Sequence, residues 1–465
     1  MREIELAVIG GGPAGISAAI EAAKLGVQVA IIDENSKVGG AIYKQFPDPF
    51  IVGDISRLGK DYIRGQKMIE EFDRYRGKIE FLESAVVWGL FEDKSIEINY
   101  RGKNQTLKPL RLIIAEGAYE RPMPFPGWTL PGVFAAGGLH TFIKTQQILP
   151  GERFLVTGTG PCQLAVATQL IRSGAKVVGV LEASSSRGIW NYLSKMLGQW
   201  GPINDGLQYL NELRKAKVPF LNPYAIVEAR GGNQVAEAIY AKVDKDWRPV
   251  SGTEKVVEVD SICIGYGFVP SIRLSGLSGC RHQYHRKRGG WIPEHDSYME
   301  TSVPGVFVVG DGAGVAGVLV AVEEARLCSI RVCHQLGRIR EDEADRLYVP
   351  IFEKLKKIKK IRTALEEFSV IRPGWFTRLK DDTIVCRCEE VTAGEIQKLI
   401  ADGATSINQI KLVTRTGMGH CQGRICESSL SALVAIETKK PIEEVGRFIT
   451  RPPVRPISLG ELVAE

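Results

Sequence analysis

Ile4 to Ile9 is an apolar stretch that breaks into Gly10-Gly11-Gly12-Pro13-Ala14-Gly15. A helical stretch then runs to Gly26, and a second strand pattern follows from Val27 to Asp33. Strand, glycine turn, helix and second strand in that order make one β-turn-α-β unit. The order recurs with Arg153 to Thr157 as strand, Gly158-Thr159-Gly160-Pro161-Cys162-Gln163 as turn, and Ala175 to Leu181 as a second strand ending at Glu182. A third apolar run, Gly305 to Val309, leads into Gly310-Asp311-Gly312-Ala313-Gly314 and a helix-like stretch through Glu324. Its position after the second unit predicts a chain that returns to complete the first domain. The fold class expected is α/β, with two Rossmann-like dinucleotide-binding domains and a small helical C-terminal domain.

Between Glu353 and Arg362, Leu355, Ile358 and Ile361, continued by Leu365, fall at helical spacing while lysines fill the other faces. This predicts an amphipathic helix with a solvated basic side, which would also suit an acidic partner or membrane phosphates. Thr392-Ala393-Gly394-Glu395 reads as a capping box that opens a short helix stopped by Gly403. Ile407 to Thr414 reads as a helix or an extended segment, and about Glu427 to Thr438 as a helix. Arg451-Pro452-Pro453-Val454-Arg455-Pro456 cannot continue a helix and predicts an extended arm packed on the body or on a partner. The expected layout is a first nucleotide domain over 1–120 and a second over 121–284. A return segment over 285–345, a helical linker over 346–380, a C-terminal domain over 381–440 and an arm over 441–465 follow.

The 465 residues exceed one ordinary core, and about 150 residues per domain gives about three domains. A hydrophobic content of 44% and a charged content of 25% are those of a soluble globular protein. The net charge of +6 is small for this length and the basic residues are scattered outside Lys354–Arg362, so nucleic acid is not an expected partner. No run of eighteen apolar residues occurs, and the chain opens straight into a strand pattern without a leader. Any membrane contact would be peripheral. Nine dispersed cysteines do not form a secreted disulfide framework, and a cytoplasmic, reducing location is expected.

The glycines carry the first chemistry. Gly10 permits the tight turn, Gly12 lets a pyrophosphate approach the backbone, and Gly15 allows helix and strand to pack closely. Asp33 ends the second strand, where a carboxylate can hold a ribose hydroxyl. In the second unit Gly158, Gly160 and Glu182 stand in the corresponding places, but Gln163 replaces the third glycine, so a nucleotide there is the weaker expectation and a scaffold the alternative. Glu182 would favour NAD, whereas Arg187 beyond it could greet the phosphate of NADP, and another adenine nucleotide could fill the site as a structural ligand.

Cys386, Cys388, Cys421 and Cys426 form a C-x-C pair, a gap of 32 residues and a C-x4-C pair. Four thiolates in two close pairs are what a [2Fe–2S] cluster requires. Arg387, Lys411, Arg415, His420 and Arg424 supply positive charge around them, and Gly417, Gly419 and Gly423 let backbone N–H groups approach sulfur. Zinc accepts the same ligands, although its structural pairs usually carry two to four residues between the cysteines. Free or disulfide-bonded thiols are the remaining reading. Cys280, His282, His285 and His295 match no zinc spacing and read as loop residues.

Taken together these residues resemble known families. The N-terminal three-quarters is similar to the two-dinucleotide-binding flavoproteins, in Gly10 to Gly15, in Asp33 with Gly39-Gly40, in Ile113-Ile114-Ala115-Glu116-Gly117-Ala118, and in Gly310-Asp311. Asp382 to Leu433 resembles the bacterioferritin-associated-ferredoxin type of [2Fe–2S] domain. The combination looks like the α subunits of dye-linked proline or hydroxyproline dehydrogenases, opine oxidases and hydrogen cyanide synthase, with the α subunit of heterotetrameric sarcosine oxidase more distant. Especially alike are Gly117-Ala118-Tyr119-Glu120-Arg121-Pro122 through Pro126-Gly127-Trp128, and Thr416 through Cys426. The resemblance implies FAD held by Gly10, Gly12, Pro13, Ala14, Gly15, Asp33, Glu34, Gly39, Gly40, Ala115, Gly117, Gly310 and Asp311, and a cluster on the four cysteines. For the second site it implies a nicotinamide nucleotide near Gly158, Gly160 and Glu182. It also implies a β subunit of the amino-acid-oxidase type that carries the substrate flavin, a hetero-oligomer, and an FMN at the subunit interface. The family commonly has Thr where Glu116 stands.

Disulfide reductases place a cysteine pair after the double glycine, where this chain has Ala41-Ile42-Tyr43-Lys44, or a C-x-x-C in the nucleotide domain, where it offers only Cys162 and Cys263 singly. Disulfide reduction is not expected. A flavin beside an iron–sulfur site is an arrangement for splitting a two-electron input into single electrons. The expected role is an electron-transferring α subunit of an amino-acid dehydrogenase acting on a secondary amine. The rival is a stand-alone NAD(P)H:acceptor oxidoreductase, and a third reading is a nucleotide-binding scaffold.

Overall fold

The strand Arg2–Ile9 runs through the middle of a seven-stranded sheet. It is flanked by Val29–Ile32 and Lys103–Ile114, both parallel to it. In this computed structural model residues 1–48, 50, 53, 60–185, 200–365 and 370–463 are described. They belong to two compact units, one built from Met1–Tyr119, Val269–Lys359 and Ile449–Glu465, the other from Glu120–Phe268 and Lys360–Phe448.

In the first unit Ile79–Leu82 extends the sheet on one side, and Ile96–Tyr100 and Val86–Leu90 extend it antiparallel on the other. The returning strand Val306–Val308 lies parallel to Lys103–Ile114. Register puts Ile9 opposite both Ile32 and Ile114, and Val308 opposite Ile114. Four parallel strands therefore end level, and the loops after them leave from one edge, where α/β sheets bind ligands. Helices Pro13–Lys24 and Val318–Gln335 pack on each other, with Ile16, Ala18, Ala19, Ala325 and Cys328 fully buried in the core.

The return to this unit comes at Val269, ahead of the residue 285 expected from the sequence. The physical reason is local: Ser271 N donates to the Gly117 carbonyl, and Glu116 accepts from Leu274 N at 3.2 Å, which fastens this stretch to the first unit. The basic helix spans Glu341–Leu365. Tyr348, Ile351 and Leu355 are buried on one side, Lys354 bridges the buried Glu323, and Lys356, Lys357 and Lys359 face solvent. The Ile361 and Leu365 side chains lie outside the described residues. The C-terminal arm is held on this unit, with Val454 buried, its N–H on the Trp88 carbonyl at 2.9 Å, and Arg455 paired with Glu34 at 2.6 Å.

The second unit has a five-stranded parallel sheet ordered Phe220–Leu221, Lys176–Glu182, Arg153–Gly158, Ser261–Gly265 and Val133–Ala135. A three-stranded antiparallel sheet, Tyr224–Gly231, Val235–Lys242 and Lys255–Glu258, packs beside it. The same unit contains the cysteine domain. There the strand pair Ile384–Cys386 and Val391–Thr392 and the helices Ala393–Ala401, Ile407–Thr414 and Glu427–Thr438 enclose their own core around Ile396, Ile407, Ile410 and Leu430. The capping box expected at Thr392 forms with Glu395, and a second one joins Ser406 and Gln409.

The cysteine domain is tied to the nucleotide domain through the Pro-rich loop before Trp128. Trp128 Nε1 donates to the Ile384 carbonyl at 2.6 Å, Trp375 Nε1 to the Pro124 carbonyl at 2.8 Å, and Ser429 Oγ to the Pro122 carbonyl at 3.0 Å. No helix among the described residues is long and apolar enough to cross a membrane.

Candidate functional site

The glycine loops of the first unit fit against one another at the sheet edge. Gly10 has φ +107°, and a Cβ there would strike the Ala115 carbonyl oxygen. A Cβ on Gly15 would strike the Gly10 carbonyl, so Pro13–Lys24 leaves the strand at a distance only glycine allows. Gly40, at φ +61°, would place a Cβ 2.7 Å from the Gly12 Cα, and Gly39 N donates to the Gly11 carbonyl at 2.8 Å. A Cβ on Gly310 would lie 3.0 Å from that of Ala14. The structure thus brings Gly10, Gly12, Ala14, Gly15, Gly39, Gly40, Ala115 and Gly310 together. Pro13 opens the helix, with no acidic side chain in its first turn to compete for the N–H groups.

Asp33 is buried and accepts from Gly11 N–H on Oδ2, and on Oδ1 from the backbone and side-chain nitrogens of Asn35 at 2.7 and 2.8 Å. A carboxylate offers four lone-pair places, so Oδ2 keeps one for a ribose hydroxyl. Asp311 Oδ1 accepts from Ala316 and Gly317 N–H at 2.9 and 3.0 Å and holds the loop before Val318–Gln335. Gly117 approaches Gly312, whose added Cβ would meet the Gly117 oxygen at 3.4 Å. Glu34 pairs with Arg455 at 2.7 Å. These are features a bound dinucleotide needs: backbone donors at a helix start, close glycines and one carboxylate with an open acceptor place.

The second unit differs at its centre. Glu182 ends its strand and is 3% exposed. Its Oε2 accepts from Gly160 N–H at 2.9 Å and from Gln163 Nε2 at 2.6 Å, and its Oε1 from Ser184 N–H at 2.7 Å. Burial pushes its carboxyl up from the ordinary value, and the same N–H groups pull it back. Gln163 is fully buried. Arg187 lies outside the described residues.

The four cysteines come from three places: Cys386 ends the strand Ile384–Cys386, Cys388 follows it, Cys421 sits in the glycine loop, and Cys426 caps the helix Glu427–Thr438. The four thiols act on one another: Cys426 on Cys386, Cys421 and Cys386 on Cys388, and Cys386 and Cys421 on Cys426. The Cys426 thiol and the backbone N–H groups of Gly417, Glu389 and Cys388 lower the Cys386 thiol to about 6, against its burial. A Cβ on Gly419 would strike the Cys388 Cβ, and one on Gly417 would lie 2.6 Å from the Phe448 ring. No group of three or more His, Cys, Asp or Glu gathers at one point among the described residues.

The surrounding cations are partly engaged. Arg415 pairs with Glu389 at 3.0 Å, Lys411 lies 5.1 Å over the Phe448 ring, and Arg424 donates to the Cys421 carbonyl at 3.2 Å. Arg387 and His420 are exposed.

None of the nine cysteines forms a disulfide. Cys263 is buried, which raises its thiol, and Cys162 is exposed. His282 and His285 lie on a hairpin strand, His282–His285, rather than in a loop. His282 is fixed between Ser275 Oγ at 3.0 Å and the Cys280 carbonyl at 2.8 Å. Glu116 caps the short helix Arg273–Leu277 through Leu274 N; its departure from the usual Thr was the only sequence signal for this.

The family described as pyridine nucleotide-disulphide oxidoreductase matches residues 4–333, and the sarcosine oxidase A3 domain matches residues 380–465. Hydrogen cyanide synthase subunit HcnB of Pseudomonas aeruginosa is 32% identical over 97% of this chain and 96% of its own. The A subunit of opine oxidase from Agrobacterium tumefaciens is 32% identical over 98% of this chain and 91% of its own. The crystal structure of L-proline dehydrogenase from P. horikoshii shares the fold, with a TM-score of 0.72 at 20% identity over 99% of this chain and 79% of that one. The chain therefore belongs to the pyridine nucleotide-disulphide oxidoreductase family of flavin-dependent enzymes, together with HcnB and the A subunits of opine oxidases.

Proposed function

We propose that this chain is the electron-carrying α subunit of a hetero-oligomeric dehydrogenase for secondary amines of the proline or hydroxyproline kind. FAD would lie on the first unit and a [2Fe–2S] cluster on Cys386, Cys388, Cys421 and Cys426. The observation that carries this reading is four mutually interacting cysteines on the same polypeptide as a dinucleotide cradle. A [2Fe–2S] cluster is held by four thiolates, and these four cysteines match that donor set.

A bound flavin would supply exchange of either a hydride or single electrons, and a cluster the exchange of one electron at a time. The chain's own residues bind and orient. Gly10, Gly12 and Gly40 admit the pyrophosphate, Asp33 holds a ribose hydroxyl, and the N–H groups of Gly417, Glu389 and Cys388 favour thiolate at Cys386. Asp33, Glu116 and Asp311 each accept backbone N–H groups, so these carboxylates hold loops rather than move a substrate proton. That supports placing amine oxidation on a partner, a β subunit of the amino-acid-oxidase type with its own flavin and an FMN at the interface. The relatives named as subunits of hydrogen cyanide synthase and opine oxidase support a hetero-oligomer. Nine cysteines without a disulfide suit a reducing cytoplasm.

The test is anaerobic absorbance of the chain alone and with its co-expressed neighbour, after adding proline or NADH. Bleaching by proline only in the complex is the expected result. Full reduction of the isolated chain by either donor would contradict it.

A further inference from the structure

We infer that Gln163 closes the ribose clamp of the second unit, so that this Rossmann domain does not take a nicotinamide dinucleotide and serves instead as the mount of the cysteine domain. The inference does not depend on which amine the complex oxidises.

An ionised carboxylate has about four acceptor places, two on each oxygen. On Glu182 Oε2, Gly160 N–H and Gln163 Nε2 fill both. On Oε1, Ser184 N–H fills one. The hydroxyls of Thr159 and Ser184 lie 2.8 Å from each other and bond to one another. The oxygen that takes the glycine-turn N–H, Oε2, is then filled by the chain's own donors. Asp33, in the equivalent place of the first unit, takes three donors and keeps a place on Oδ2. The two units differ because Gly15 has no side chain where Gln163 has an amide.

A ribose hydroxyl that takes this glycine-turn oxygen has to displace Gln163, and that displacement is costly. The side chain is fully buried, its Oε1 has no hydrogen-bond partner, and an Nε2 torn from Glu182 would leave a second buried polar atom unpaired. The unit has a different load to carry: the Trp128, Trp375 and Ser429 hydrogen bonds fasten the cysteine domain to its Pro122–Trp128 loop.

The experiment is titration of the full chain with NADH, followed by nicotinamide fluorescence and by equilibrium dialysis, for the unaltered protein and for Gln163→Ala. The expected result is no saturable binding to the unaltered chain up to about 1 mM, and affinity at least tenfold higher in Gln163→Ala. If the alanine chain does not fold, Gln163→Met, which keeps the volume and lacks the amide, replaces it with the same expectation. Saturable NADH binding by the unaltered chain, or a folded variant with no gain, would overturn the inference.

Discussion

The Arg378 guanidinium lies 3.8 Å from the centre of the Trp375 ring. Both side chains are buried where the segment before the cysteine domain enters the nucleotide domain. Arg378 donates to the carbonyls of Trp375 at 3.0 Å, Trp247 at 2.8 Å and Ile226, which hold the cation in place of a carboxylate. Burial lowers it to about 10, still charged at neutral pH.

Arg378→Met should therefore destabilise the second unit by about 3 kcal/mol, because it strands three carbonyls and removes the stacking on Trp375. Urea unfolding followed by tryptophan fluorescence checks this. An unchanged midpoint would show that the anchor contributes nothing.

Gly40→Ala should weaken flavin retention by roughly tenfold to a hundredfold, since a left-handed residue and a 2.7 Å contact with Gly12 together cost about 1–3 kcal/mol. The ratio of flavin to protein absorbance after dialysis reads this directly. Retention equal to that of the unaltered chain would place the flavin elsewhere.

His140 is lowered to about 4, first by burial and then by Lys144. The unfolded chain takes up this proton near 6.5 and the folded chain only near 4, so stability is complete above about 6.5 and falls as pH drops through that window. The loss attributable to His140 should reach about 3 kcal/mol at the acid end. His140→Gln should flatten the dependence of the unfolding midpoint between pH 4 and 6.5. An unaltered slope would remove His140 as its source.

Cys388→Ser and Cys421→Ser each remove one of the four thiols. Each should abolish iron binding while leaving the flavin of the first unit in place. Iron content and the visible spectrum of each variant check the separation. Loss of flavin along with iron would mean that the two sites depend on each other.

Much of this was readable in the sequence because glycine and cysteine carry their geometry locally. Gly10, Gly15 and Gly40 sit where a side chain cannot fit, and Ile9, Ile32, Ile114 and Val308 end level because their apolar runs belong to one sheet. What could not be read depends on partners distant in the chain. Gln163 showed only as a missing glycine, and its bond to Glu182 appears once strand and helix are packed. Trp375 and Arg378 lie in a stretch with no motif, and their burial follows from the loop at Pro124 and the strand at Ile226.

The central claim is that a flavin and an iron–sulfur cluster share this polypeptide. Metal and acid-labile sulfide analysis of anaerobically purified chain, with EPR after dithionite, tests it most directly. The account predicts two irons and two sulfides per chain and the signal of a reduced [2Fe–2S] centre beside one FAD. Zinc, or no metal, at the four cysteines would contradict it.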